Sequence, residues 1–132
     1  MAEIINFQLV TPLQLLTSQD VNMAVMPGSE GDLGIMYRHT PMMTMLNRGI
    51  IQLFEGNQVV ERIIIDGGIA EINDKGITVL SERAEILKSS NKQIIQEKLL
   101  NSERLSASKD DGISSLSNEE KNFYQFVLKK IN

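Results

Sequence analysis

Pro27-Gly28-Ser29-Glu30-Gly31-Asp32-Leu33-Gly34-Ile35-Met36-Tyr37-Arg38-His39-Thr40-Pro41-Met42-Met43-Thr44 is the stretch that sets the reading of the rest of this chain. Gly28, Gly31 and Gly34 permit positive φ or close backbone approach, and Glu30, Asp32, Arg38 and His39 put polar groups at the tips of the turns so formed. Such glycines serve any tight loop. Loops on a rigid scaffold also carry binding residues, so turn geometry and a partner contact are both open here. A second glycine pair, in Asp66-Gly67-Gly68-Ile69-Ala70-Glu71-Ile72, marks another turn.

On either side the apolar residues have the period of strands. Ile5, Phe7 and Leu9 alternate with Asn6 and Gln8, and Val21, Met23 and Val25 alternate with Asn22 and Ala24, as half-buried strands do. Ile50-Ile51-Gln52-Leu53-Phe54 and Val59-Val60-Glu61-Arg62-Ile63-Ile64-Ile65 flank Glu55-Gly56-Asn57-Gln58, which reads as a β-hairpin with a Gly-Asn turn. A strand from Ile77 to Leu80 follows the turn Asn73-Asp74-Lys75-Gly76. Short strands separated by turn residues predict an all-β N-terminal antiparallel sandwich or barrel.

After Ser81 the period changes. Ser90-Asn91-Lys92-Gln93 fits a capping box, in which the serine and glutamine side chains satisfy free backbone donors, and Ile94, Ile95, Leu99 and Leu105 follow at helical spacing. Ser117-Asn118-Glu119-Glu120 is a second such box, ahead of Phe123, Val127 and Ile131 with Tyr124 and Leu128 alongside. Ser108-Lys109-Asp110-Asp111-Gly112 breaks the pattern between them, so the two helices are expected to fold back as a C-terminal α-helical hairpin. The organisation predicted is a β-sandwich domain over residues 1–87 and a two-helix domain over 88–132.

At 132 residues, 42% hydrophobic and 23% charged, the chain supports one modest core. It contains no cysteine, which excludes disulfides and thiolate metal sites. Met1-Ala2-Glu3-Ile4-Ile5-Asn6 has no basic or apolar leader region, and no apolar run approaches the ~18 residues of a membrane span, so membrane work is expected only through partners. The net charge of −4 divides unevenly: residues 1–87 carry five Lys/Arg against eleven Asp/Glu, a net −6, and residues 88–132 carry eight against six, a net +2. Neither part has a basic stripe with interleaved aromatics, and the acidic part repels phosphate, so nucleic acid is not an expected partner.

The stretch from Gly28 to Thr44 resembles the G-x-E-G-x-L-G-I-x-x-x-H-x-P-L-L-T segment of the epsilon subunits of bacterial F-type ATP synthases, and Asp66-Gly67-Gly68-Ile69-Ala70-Glu71-Ile72 is similar to that family's S-G-G-x-x-E-V, with aspartate in place of serine. The resemblance continues through Val79-Leu80 and Ala84 and weakens after about Leu87. It implies a flattened sandwich followed by a helical hairpin, and a non-catalytic rotor-stalk subunit of a proton-translocating enzyme, peripheral on the cytoplasmic face of the bacterial inner membrane. The implied partners are the gamma subunit and the c-ring, with the catalytic β subunits added when the hairpin extends to block hydrolysis. By motif position Glu30, Asp32 and His39 are the c-ring contact candidates, and Gly28, Gly31, Gly34, Gly67 and Gly68 shape the turns. Lys92, Lys98, Arg104, Lys121, Lys129 and Lys130 are candidates for the inhibitory contact with an acidic β-subunit segment. Six of the seven methionines lie between Met23 and Met45, where core filling and contact with gamma both fit an adaptable side chain. Met42 and Met43 replace the leucines usual in that family, an exchange that conserves volume.

No cofactor or metal is expected. His39 is the only histidine, and with Glu30 and Asp32 it falls short of a zinc site, which commonly uses more than one histidine among three ligands. No G-x-S-x-G elbow, Walker A motif or G-x-G-x-x-G turn occurs. Some members of the family bind ATP on the hairpin through I/L-D-x-x-R-A. Here Asn91 stands at the aspartate position and Ile94 at the arginine position, which removes a bidentate phosphate partner, so regulatory ATP binding is not expected. The alternatives are a free-standing β-sandwich protein-binding module, or a small enzyme using His39 and its neighbouring carboxylates.

Overall fold

The computed structural model describes residues 3–38, 40–88, 92–106 and 111–131. These form β1 (Ile5–Thr11), β2 (Gln14–Val21), β3 (Met23–Gly28), β4 (Gly31–Met36), β5 (Met42–Glu55), β6 (Gln58–Asn73), β7 (Gly76–Leu80), β8 (Ala84–Ile86), α1 (Lys92–Ser106) and α2 (Asp111–Ile131). The chain divides between Ile86 and Leu87 into two compact units.

The long hairpin β5–β6 is the spine of the first unit. Gly56 has φ 62°, the first-position geometry of a type II′ turn, and the ladder runs from Glu55 opposite Gln58 to Met42 opposite Ile72. Asn73 and Gly76 close the next hairpin, where the Lys75 N–H donates to Asn73 Oδ1 at 2.8 Å in an Asx turn. The strands form one sheet in the order β2-β1-β7-β6-β5-β3-β4, with β8 on β6, and it closes over a single core as a β-sandwich. Phe7, Leu9, Met26, Ile51, Leu53, Ile63, Ile65 and Val79 are fully buried there. Each such side chain contributes roughly 1.5–3 kcal/mol of burial. Truncating one, as in Leu53→Ala, costs roughly 2–5 kcal/mol once the cavity is counted.

Several local expectations need correction. The sandwich is not wholly antiparallel: β1 runs parallel to β7, Phe7 opposite Ile77. Five strands separate the two in sequence, so no hairpin fixes their relative direction. Val21 and Val25 do not share a strand. Asn22 interrupts the chain between β2 and β3, and the inward residues of β3 are Ala24 and Met26, not Met23 and Val25. A one-residue offset exchanges the two faces of a strand. The stretch Pro27–Thr44 is less loop than expected, since Met23–Gly28 and Gly31–Met36 pair around the two-residue turn Ser29-Glu30. Asp66-Gly67-Gly68 is no turn but an interior kink of β6. There β6 changes its second neighbour, pairing β7 through Ile69–Asn73 and β8 through Ile63–Ile65.

In the second unit α1 and α2 pack on one another. The buried Ser102 hydroxyl has Lys98 O at 3.1 Å and Glu120 Oε2 at 3.3 Å as acceptors. Ile95, Phe123 and Val127 are buried, whereas Ile94 is exposed. The capping box at Ser90-Asn91 lies outside the described residues, as do Ser108–Asp110 of the expected break. Ser117-Asn118-Glu119-Glu120 is not a helix start: α2 begins at Asp111 and includes Gly112. Ile113 and Leu116 already carry the apolar spacing, so the helical period begins before that box.

Candidate functional site

Because direct cross-strand partners share a face, register alone shows what the sheet presents outward. Leu15 of β2 lies opposite Val10 of β1, Val10 opposite Leu80 of β7, Leu80 opposite Ile69 of β6, and Ile69 opposite Met45 of β5. The row faces away from the core, since Leu9, Val79 and Ala70 beside it point inward and are buried. Four of its members are largely open to solvent: Leu15 54%, Leu80 52%, Ile69 42% and Met45 67%. The next outward row is Ser18, Gln8, Thr78, Glu71 and Met43, polar except for its last member. An apolar band one residue wide thus crosses five strands and is bordered by a polar one. At its centre is a cleft of about 430 Å³ floored by Val10, Ile69 and Leu80 and walled by Pro12, Asp66, Ser81 and Glu82. Exposed apolar bands rimmed by polar groups are found at protein and membrane interaction sites and in ligand grooves.

The methionines divide between the two expectations. Met26 is buried and Met42 packs against the core, while Met36, Met43 and Met45 are exposed.

Glu30 and Asp32 sit together, exposed, at the β3–β4 tip: Glu30 in the two-residue turn and Asp32 beside it on β4, paired with Pro27. His39 lies outside the described residues, but its neighbour Arg38 follows the far end of the six-residue β4. At ~3.3 Å per residue this separates the two ends by roughly 17 Å. Arg38 has φ 64°, a left-handed backbone that is unusual for a residue other than glycine. Its guanidinium, fully exposed, lies 5.3 Å from the Tyr37 ring, and a hydrogen bond to Tyr37 raises its pKa above the ordinary arginine value.

Among the turn glycines, Gly31 has φ 123° at the β3–β4 turn, whereas Gly34 is mid-strand without a positive φ. Gly28 faces the Gly31 carbonyl closely, Gly67 has φ 74° at the kink, and a Cβ on Gly68 would run into the Leu80 carbonyl. Asp66 beside them accepts from Arg48 Nε and Nη2 on Oδ1, each at 2.7 Å, and from Arg83 Nη1 on Oδ2 at 2.9 Å.

Among the described residues no group of three His, Cys, Asp or Glu side chains is placed to hold a metal, and no helix is long and apolar enough to cross a membrane. Lys92, Arg104, Lys129 and Lys130 are exposed on the two helices, Lys98 lies over the Tyr124 ring and Lys130 over the Phe126 ring. Arg104, Lys129 and Lys130 occupy last turns, where cations complement the helix dipole, so part of this basic set serves the hairpin itself. Lys121 is half-buried. Ile94, which the sequence comparison sets at the motif's arginine position, is exposed on the first turn of α1.

Residues 4–87 match the family described as ATP synthase, delta/epsilon chain, beta-sandwich domain. The chain is 46% identical over 84 residues to the ATP synthase epsilon chain of Paramagnetospirillum magneticum, covering 64% of this chain and 63% of that one. It is 50% identical over 82 residues to that of Parvibaculum lavamentivorans, covering 62% of each. These matches therefore span less than two thirds of either relative's own length. The epsilon chain of Rhodospirillum rubrum is 39% identical over 99 residues, 75% of this chain and 74% of that one. The fold is similar to a chain of the Euglena gracilis mitochondrial ATP synthase OSCP/F1/c-ring structure, with TM-score 0.65 and 19% identity over 100% of this chain and 83% of that chain.

Proposed function

The chain belongs to the ATP synthase delta/epsilon family, and from that membership we propose that it is a non-catalytic central-stalk subunit of a bacterial F-type ATP synthase. In this reading the outward apolar band binds the gamma subunit and the Glu30–Asp32 tip meets the polar loops of the c-ring. The sandwich couples the two by stiffness. A torque coupling needs no catalytic group. It needs an element that does not yield and a surface that grips, and the continuous sheet with one buried core supplies the first.

The observation that carries the reading is the transverse band Leu15–Val10–Leu80–Ile69–Met45, whose exposure is the state expected of a subunit without its partner. The epsilon-chain names of the bacterial relatives, and the F1 and c-ring by which the Euglena structure is named, support a place in that assembly. Partners would hold the subunit at the cytoplasmic face of the inner membrane.

Residues 88–132 act in this reading as a brake on ATP hydrolysis, with Lys92, Lys98, Arg104, Lys121, Lys129 and Lys130 available to an acidic segment of the catalytic β subunits. ATP has little basis for choosing between postures of the helical pair, since Ile94 offers no phosphate partner, and a ligand shifts such an equilibrium only through different affinities. Membranes depleted of this subunit and then supplied with the full chain or with a chain ending at Leu87 test both parts. Coupled ATP-driven pumping should need either form, and only the full chain should restrain hydrolysis. Pumping that is the same without any added chain would overturn the stalk role.

A further inference from the structure

The connection from β7 to β8 is tied to the sandwich more heavily than its length explains. β8 is three residues long and, among the described residues, its strand ladder is the one with β6. Ahead of it, the Ser81 N–H donates to Val10 O at 3.1 Å, the Ser81 hydroxyl lies 2.7 Å from Gly67 O and 3.0 Å from Arg83 O, and the Asp66 N–H donates to Arg83 O at 3.0 Å. The Asp66 carboxylate, 13% exposed, then joins Arg83 at the entry to β8 to Arg48 of β5. Strands distant in sequence are thus held at one point, and the unit boundary follows three residues after Arg83.

From this we infer that the Arg48–Asp66–Arg83 triad is an anchor that fixes where the tether of the helical unit leaves the sandwich. The inference rests on the reading that the helical unit changes posture. A moving unit pulls on its tether, and a three-residue edge strand with one neighbour offers only a few ladder bonds against peeling. Charge-assisted bonds are about twice as strong as neutral ones, and Asp66 receives them from a strand that does not belong to the tether. The anchor keeps the pull from reaching Ile63 and Ile65, which β8 flanks and which are part of the core. The same Asp66 and Ser81 wall the cleft in the apolar band, so a loose tether would also deform the proposed docking surface.

The test is amide hydrogen exchange on the full chain carrying Arg83→Gln, Asp66→Asn or Arg48→Gln. Exchange of the Glu85 amide, which the register makes the ladder donor to β6, should quicken at least tenfold in Arg83→Gln and Asp66→Asn and less in Arg48→Gln, which leaves the Arg83 bond intact. Tryptic cleavage after Lys88 should quicken in the same order, while Phe7, Leu9 and Leu53 stay protected. If Asp66→Asn does not fold, Arg83→Gln decides. Exchange of the Glu85 amide within twofold of the parent in a folded Arg83→Gln chain would overturn the anchor, since strand pairing alone would then hold the tether. Failure of the brake reading would show instead as unchanged hydrolysis on removal of residues 88–132, a readout this experiment does not use.

Discussion

Replacing Ile69 and Leu80 together by alanine removes the middle of the apolar band at residues that are 42% and 52% exposed. Complete burial of such a side chain contributes about 1.5–3 kcal/mol. With roughly half of each still in water, about 1 kcal/mol per residue remains to be gained on docking. The double variant should thus lose about 2 kcal/mol of affinity for the isolated gamma subunit, near a thirtyfold rise in Kd by calorimetric titration. The free chain, which loses only the buried halves, should remain folded. Thr78→Ala and Gln8→Ala, on the neighbouring polar row, should change Kd less than about threefold. Equal losses from both rows would refute the reasoning, because binding would not then follow the apolar register.

A chain ending at Leu87 should melt cooperatively, because its core draws on strands of the first unit alone; a non-cooperative trace by calorimetry would show that the helices are needed. Arg38→Gly should raise stability by about 1 kcal/mol in urea denaturation, since glycine takes the left-handed region without the clash that a Cβ brings; a loss would mean that the Tyr37 contact outweighs the strain. Removing residues 88–132 should raise ATP hydrolysis by the assembled enzyme. Millimolar ATP should leave the Tm of the full chain unmoved, and a rise would reveal a nucleotide site despite Ile94.

Local chemistry was legible where the cause was local. Gly56-Asn57 announces its hairpin and Asn73–Gly76 its turn, whereas the change of period read after Ser81 comes too early, because the short strand β8 at Ala84–Ile86 still precedes α1. The β3–β4 hairpin was hidden because three glycines read as one long loop, although only Gly31 among them takes a positive φ. Parallel pairing of β1 with β7 has no sequence signature, since neither strand has a turn in common with the other. The outward band was equally hidden: its members come from five strands, and each alone is an ordinary exposed hydrophobe. Ile69 gave one hint, standing out of phase with Ala70 and Ile72. Asp66 and Arg83 are seventeen positions apart, and only the folded sheet brings their charges together.

The central claim is that this chain turns with the rotor, gripping gamma through its outward face. With no cysteine of its own, the chain accepts one at Leu80 carrying a photoreactive benzophenone, and the assembled enzyme can be irradiated and assayed for both adduct and turnover. Two parts of one rotor can be joined without stopping it, whereas joining rotor to stator must stop it. The account predicts an adduct with gamma and hydrolysis at the unirradiated rate. An adduct with a catalytic β subunit accompanied by arrest, or no adduct with gamma at all, would contradict it.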